Sequence, residues 1–545
     1  MATSKTAVDM IEEHDPRKNN SIIGHEASQH GDRALAIIGD ERVSLTEEDN
    51  KRIRRKTNKV ILCILIWVYF LQILDKTVLG YGATFGMKEA TGLVGNQYSL
   101  VGSIAPIAQL AWQPFSSYLI VRVPHRILMP SLVLGWGIAQ TCMAAAYNYH
   151  GLLAARFFLG LFEGGCLPLF SIITSQWYRR AEQPIIVAAW YSTNGLATIA
   201  ASALSFGLGH IQSSVLESWQ IIFMFVGLVT VITAPFVYWK LDNDIPSARF
   251  LTEDEKPQAI ERLRANQTGT GSREFKWDQV RELALDGKTY LWIALSLLLN
   301  VGASVTNTFG PLIISGFGYD KFITSLLNMP FGALQFIIIL FASWAAQKFK
   351  NKSLILVALV APVVAGLAML YTISHTDANQ GALMAGYYLL SFLFGGNPLI
   401  VSWIVGNTAG TTKKSTVMSV YNAASSAGNI IGPLLFNSKD APTYRPGLRA
   451  VLGIFVALAA CVLLQAANLM FLNKLQERKR VKNGKPAKIR DQSMQNSYQE
   501  VDDQNNYSIG AAEGDQEAGT QHARIGDQAF LDIGDRKNDE FIYIL

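Results

Sequence analysis

Four ionisable side chains stand inside stretches built almost entirely from Leu, Ile, Val, Phe, Ala and Gly: Asp75 and Lys76 in one, Arg156 and Glu163 in another. A charged side chain in hydrocarbon costs at least about 2.5–3.5 kcal/mol on insertion scales, so each asks for a partner or a purpose. Burial moves a carboxyl towards its neutral form and a nearby cation moves it back, which makes Asp75 and Glu163 candidate proton acceptors. Lys76 and Arg156 are the candidate cations for a solute carboxylate, the planar Arg being suited to bidentate recognition. An anion that occupies the cation changes the proton affinity of the acid, and that is a coupling device in outline. The competing reading is a brace, with Arg156 paired to Glu163 or Asp75 to hold two helices together while Lys76 reaches out to the membrane edge.

Helices must position these residues, and a helix needs about 20 mostly apolar residues to cross roughly 30 Å of hydrocarbon. Breaks at charged, polar or Gly/Pro-rich points put spans at 59–80, 97–120, 126–147, 151–177, 185–209 and 219–240, then at 289–316, 322–346, 353–374, 380–408, 414–436 and 447–473. The expected fold is all-α and integral to the membrane, with 12 transmembrane helices in two pseudo-symmetric six-helix bundles, 58–240 and 289–473, around a charged linker at 241–288. In that arrangement Asp75 and Arg156 lie about five residues, roughly 7 Å of helix, from one surface. Glu163 follows two turns deeper on the face of Arg156, so the charges form a ladder from an outer vestibule towards the midplane.

Amides at helical spacing are further candidates to line a solute site. Asn194 belongs to the run Tyr191, Asn194, Thr198 and Ser205; Asn300 and Asn307 flank Ser304; Asn422 and Asn429 flank Ser426. Asn397 precedes Pro398, which frees a carbonyl in its helix and suggests a cavity-facing segment. Interhelical hydrogen bonding accounts for each stripe about as well as solute binding does.

Composition closes off other classes. Charged residues make up 16% of the 545 and hydrophobic ones 50%, where a soluble domain carries about 25% charged. The net charge of +5 comes from Lys and Arg at span edges, as in Lys51 to Lys56, not from a basic face interleaved with aromatics, so no nucleic-acid partner is expected. Cys63, Cys142, Cys166 and Cys461 lie in apolar runs without metal-ligand spacing and read as packing residues, so no metal or other cofactor is expected. His125, His150, His210 and His375 are scattered singly, which argues against an enzyme, and no phosphate-binding G-x4-G-K-[ST] loop occurs, so energy must come from an ion or solute gradient.

The N-terminus has no apolar core of the kind a cleaved signal peptide needs. The Lys/Arg bias of the short loops puts both termini in the cytoplasm, with the sequons at Asn266 and Asn351 on that side and unglycosylated. The tails 1–57 and 474–545 are too poor in apolar residues to offset ordering entropy and are expected to be disordered.

LDKTVLGYGATFGM at 74–87, QYSLVGS at 97–103, RFFLGLFEGGCLPLF at 156–170, WYRRAEQ at 177–183, and GNIIGPLLF with DAPTYRPG at 428–447 carry a family resemblance. Over roughly 58–475 the chain resembles the major facilitator superfamily, and within it the fungal allantoate permease family of the anion:cation symporter branch. That resemblance implies alternating access by rocking and proton-driven uptake of a small organic anion such as allantoate, ureidosuccinate or nicotinate. The proton-binding positions of the related symporters map onto Asp75 and Glu163, and the basic positions beside them onto Lys76 and Arg156. The loop VRVPHRI at 121–127 departs from the general superfamily motif in lacking its acid and glycine. The expected protein is a monomer in the plasma membrane whose partners are lipid, protons and the solute. Export or facilitated movement of a metabolite, or nutrient sensing without transport, are the alternatives on the same fold.

Overall fold

The computed structural model describes residues 43, 45–84, 86–94, 97–209, 211, 213–264, 266, 274–315, 321–374, 377–435, 445–483, 485–489 and 532–545. Among the described residues the regular structure is helical, and seven helices are long and apolar enough by length and composition to cross a membrane. Helix α1 (Glu47–Thr57) passes through a π-helical turn at Asn58–Leu62 into α2 (Cys63–Thr84). Then come α3 (Gln97–Arg122), α4 (His125–Met143), α5 (Tyr149–Glu163), α6 (Cys166–Trp177), α7 (Gln183–Tyr191), α8 (Thr193–Gly209) and α9 (Ser218–Lys240). The linker holds α10 (Glu255–Arg264) and α11 (Trp277–Ala284). The second half contains α12 (Gly287–Ser315), α13 (Lys321–Phe349), α14 (Lys352–Thr372), α15 (Gln380–Leu389), α16 (Gly396–Gly406), α17 (Thr411–Leu434) and α18 (Arg445–Lys482).

The breaks inside the apolar runs have local causes. Between α5 and α6 lie Gly164 and Gly165, and Pro168 follows four residues after Gly164. Proline has no N–H to give to the carbonyl four residues back, so the Gly164 carbonyl is released for side chains. Helices approach closely where a glycine removes the Cβ. At Gly160 a Cβ would overlap the Ala105 carbonyl of α3, and at Gly195 it would overlap the Gly332 carbonyl of α13. The second contact joins the chain halves on either side of the linker, as do α3 along α17 and α7 against α16.

Three stretches differ from the hydropathy reading. Order begins ahead of residue 58: Thr46 and Asp49 close a capping box, acids fill the first turn of α1 and Arg54, Arg55 and Lys56 its last, as the helix dipole favours. Helix α18 runs on to Lys482, because a hydropathy cut ends where the apolar stretch ends, while the helical backbone continues through good helix formers such as Lys474, Leu475, Gln476 and Glu477. Residues 532–545 pack against the same end of the molecule as the linker, with Phe541, Tyr543 and Ile544 buried. Composition alone gave no warning of that docking, since its acids and amides meet specific partners rather than a generic core.

Ion pairs, one of them buried, fasten α1, the linker and the α6–α7 loop together. Arg262 donates to both Glu182 oxygens at 2.7 and 2.8 Å and to Asn50 Oδ1 at 3.0 Å. Lys56 meets Glu255 at 2.8 Å from a side chain that is 38% exposed. The sequon residues also serve the fold: Asn266 bonds the Arg180 N–H and the Tyr178 carbonyl, and Asn351 caps α14.

Breaking a buried pair strands its partner, whereas an exposed pair is worth little. Glu182→Ala is therefore expected to cost about 3 kcal/mol or more of stability, and Lys56→Ala at most about 1 kcal/mol. Thermal melting of the detergent-solubilised variants checks this, and equal losses would contradict it.

Candidate functional site

Glu163 ends α5 and is 1% exposed. Lys76 of α2 brings its Nζ to 3.4 Å from Glu163 Oε2, and Gln109 of α3 donates its amide to the same oxygen at 3.0 Å. Gln72, one turn before Lys76, reaches the Glu163 backbone carbonyl at 3.5 Å. Three helices therefore converge on one carboxylate. The Lys76 side chain reaches this carboxylate while remaining 41% exposed along its length.

Asp75 is fully buried beside Lys76, and its carboxylate faces Trp136 and Thr230, with Glu163 and Arg156 in electrostatic range. Neither Asp75 oxygen meets hydrogen-bond geometry with a partner among the described residues: the Thr230 hydroxyl donates to the Val226 carbonyl at 3.0 Å, and the facing Trp136 Nε1 is likewise without a partner there. Arg156 is 5% exposed, and its Nε and Nη1 likewise have no hydrogen-bond partner among the described residues. An unmatched charge in such surroundings is costly. The four expected residues thus come together around Glu163, with Lys76 rather than Arg156 closing the ion pair.

A second layer reaches into the other half of the chain. The released Gly164 carbonyl accepts from Gln113 and from Asn422 of α17, each at 2.9 Å. Tyr421 donates to Asn397 Oδ1 at 2.8 Å, Asn300 approaches that oxygen at 3.4 Å, and Ser296 donates to the Tyr421 carbonyl. Tyr69 of α2 packs on Trp190 and Tyr191 with ring centroids 5.1 Å away in each case, in electrostatic range of Glu163 and Tyr421. Asn300, Asn397 and Asn422 therefore belong to one polar zone next to the charges.

The remaining amides do not join it. Asn194 is half-buried next to the Gly195 crossing, and Asn429 is half-buried on α17; among the described residues no hydrogen bond ties either side chain to the cluster. The Asn307 side chain lies outside the described residues. Sequence reasoning missed Gln72, Gln109, Gln113, Tyr69 and Tyr421. The one available signal was Gln109 and Gln113 at i, i+4 in an otherwise apolar run, a single polar stripe on one helix face.

Residues 65–433 match the sequence profile of the Major Facilitator Superfamily. The chain belongs to the major facilitator superfamily. Among similar members are the thiamine pathway transporter THI73 of Saccharomyces cerevisiae, 31% identical over 82% of this chain and 82% of that protein, and the allantoate permease of the same yeast, 28% identical over 82% and 84%. The structure of the major facilitator proton:xylose symporter XylE bound to 6-bromo-6-deoxy-D-glucose shares the fold, with a TM-score of 0.60 at 13% identity over 74% of this chain and 94% of that one. As a superfamily member the chain is a secondary transporter rather than an enzyme, set in a bilayer by apolar helices and handling a small-molecule solute.

The two halves of this chain approach backbone to backbone at Gly195 and Gly332. Gly195→Val is expected to force α8 off α13 and abolish transport while leaving membrane insertion intact, because a side chain there strikes the Gly332 backbone. Gly207→Ala, with nothing within 4 Å of the added Cβ, is expected to transport normally. Uptake by the two variants at matched surface abundance checks the difference.

Proposed function

We propose that this chain is a proton-coupled importer of a small organic anion, working by alternating access between two six-helix bundles with both termini cytoplasmic, as a monomer in the plasma membrane. What carries the reading is the combination, within one buried cluster, of an acid at Asp75 and a guanidinium at Arg156 whose Oδ atoms and Nε and Nη1 have no hydrogen-bond partner among the described residues, and an ion-paired acid at Glu163. In the empty carrier Lys76 compensates Glu163. A solute carboxylate entering the cluster competes for Lys76 and docks on Arg156, and Glu163, stripped of its cation, takes up a proton. Asp75 holds a proton throughout the loaded state. Substrate charge and proton then cross together, because one carboxylate taken up with one proton leaves the net charge of the cluster in the membrane interior unchanged.

The likeness to a permease named for allantoate supports an anionic solute, and the likeness to a named proton symporter supports the coupling ion. The amides Asn300, Asn397 and Asn422, with Tyr421 and Tyr69, suit the polar remainder of a ureido- or pyridine-type acid. Asn194, Asn307 and Asn429 stay as candidates for a different point in the cycle, when the halves have moved.

Uptake by the native protein is expected to rise as external pH falls, whereas Asp75→Asn and Glu163→Gln variants, inserted at normal levels, are expected to lose that dependence. Arg156→Lys, which keeps the charge but loses the bidentate fork, is expected to raise the KM for the solute about tenfold, equivalent to about 1.4 kcal/mol. Retention of the native pH profile in both acid variants would defeat proton coupling through this cluster.

A further inference from the structure

Residues 532–545 fill a basic and aromatic socket at the linker end of the molecule. Asp532 accepts from the Thr411 N–H at 2.6 Å and pairs with Lys276 at 3.1 Å. Asp535 is bound on both sides, by Lys288 and by Lys413, the latter at 2.8 Å, and also accepts from the Tyr543 hydroxyl at 2.8 Å. Asp539 and Glu540 pair with Lys485 at 3.0 and 2.9 Å. Burial alone would raise the Asp535 carboxyl, but the two lysines hold it well below the usual carboxylate range. The stretch that follows is read residue by residue: Asn473 exchanges two 2.8 Å bonds with the Tyr543 backbone, and Asn407 exchanges bonds of 2.7 and 2.9 Å with that of Ile544. Trp403 adds a bond to the Ile544 carbonyl at 2.8 Å, and the Lys352 N–H one to Leu545 at 2.8 Å.

These contacts clamp α12, α16, α17 and α18 of the second half. From the first half, Arg180 joins them. Arg180, from the α6–α7 loop and 1% exposed, donates to the Ile542 carbonyl at 2.9 Å and to the Gly406 carbonyl, and its guanidinium lies 4.8 Å from the centre of the Phe541 ring. At the same level Lys414 approaches Ser175 at 3.4 Å and Ser415 donates to the Ser117 carbonyl at 3.0 Å. The segment therefore sits on the seam between the halves and supplies part of the seal across it.

The geometry points to a removable latch: residues 532–545 are an internal ligand of the linker-side mouth, an acidic stretch followed by an apolar one, and the mouth opens to that side only when the segment leaves its socket. Opening the seam separates Arg180 from Gly406, and a docked segment resists this by keeping Arg180 bonded to Ile542 and stacked on Phe541. Release leaves Lys413 paired with Glu282 at 2.7 Å and Asp286 at 3.3 Å, and Lys288 with Asp286 at 3.5 Å, but vacates the Asp535 position between the two lysines, so the socket is a site for a peptide that returns a carboxylate there, with this chain's own segment as resident. The latch rests on the alternating-access reading, but its test needs no solute.

Ser175, 1% exposed on the first-half side of the seam, reports the seal when replaced by Cys in a chain whose Cys63 and Cys142 are changed to Ser. With purified full-length protein in nanodiscs, maleimide labelling of Ser175→Cys is expected to be slow. It is expected to accelerate about tenfold when Asp535→Asn or Phe541→Ala is added, or when the chain stops at residue 531. A synthetic 532–545 peptide is expected to restore protection to the shortened chain, and the Asp535→Asn peptide to fail. Should the shortened chain not fold, the two point variants carry the test. Unchanged labelling in folded variants overturns the latch whatever uptake shows, and accelerated labelling in a protein that moves no anion leaves the latch standing while refuting the transport reading.

Discussion

An ionised group in the low-dielectric middle of a helical membrane protein must be answered by another group, and the structure is organised around one that is. Glu163 is held by Lys76 and Gln109 from two other helices at the point where its own helix stops. The stop matters as much as the charge. Gly164, Gly165 and Pro168 release a backbone carbonyl one residue from the carboxylate, and Asn422 of the second half bonds to it. Charge state and contact between the halves are therefore adjacent along the chain, so a proton or an anion that alters the first acts within one residue of the second.

Much of this was legible in the residues, for identifiable reasons. Hydropathy located the helices because every backbone polar group in lipid must be satisfied internally, and helices do so within one segment. The four charges stood out because charge is rare where it is costly. The pairing among them was not legible: two helices carrying one cation and one acid each allow several matches, and only their packing selects Lys76 with Glu163 over Arg156 with Glu163. Gln109 and Gln113 escaped because glutamine is unremarkable on any helix and gains meaning only from what it faces. The amide stripes divided by location. Asn397 and Asn422 turned to the charged zone, while Asn194 sits at a glycine crossing where close helix approach, not solute, explains the small residues around it.

The 532–545 segment is the largest departure from composition-based expectation, and it shows what composition leaves out. A polar stretch lacks the apolar area to fold alone, yet it can order on a surface that already presents matching charges and amides. Here the surface offers Lys288, Lys413 and Lys485 to the acids and a Trp, Asn and Arg set to the backbone. Arg180 belongs both to that socket and to the seam between the halves, which links the state of the tail to the state of the carrier.

Proton coupling at the Asp75–Glu163 cluster is decided by reconstituted protein in sealed liposomes with an imposed pH gradient and a panel of radiolabelled carboxylates, each run beside its neutral amide. Accumulation of at least one carboxylate above equilibrium, driven from the acidic side, abolished by a protonophore and absent for the amide, is the expected result. Gradient-independent equilibration of the solute, or equal movement of acid and amide, would contradict it.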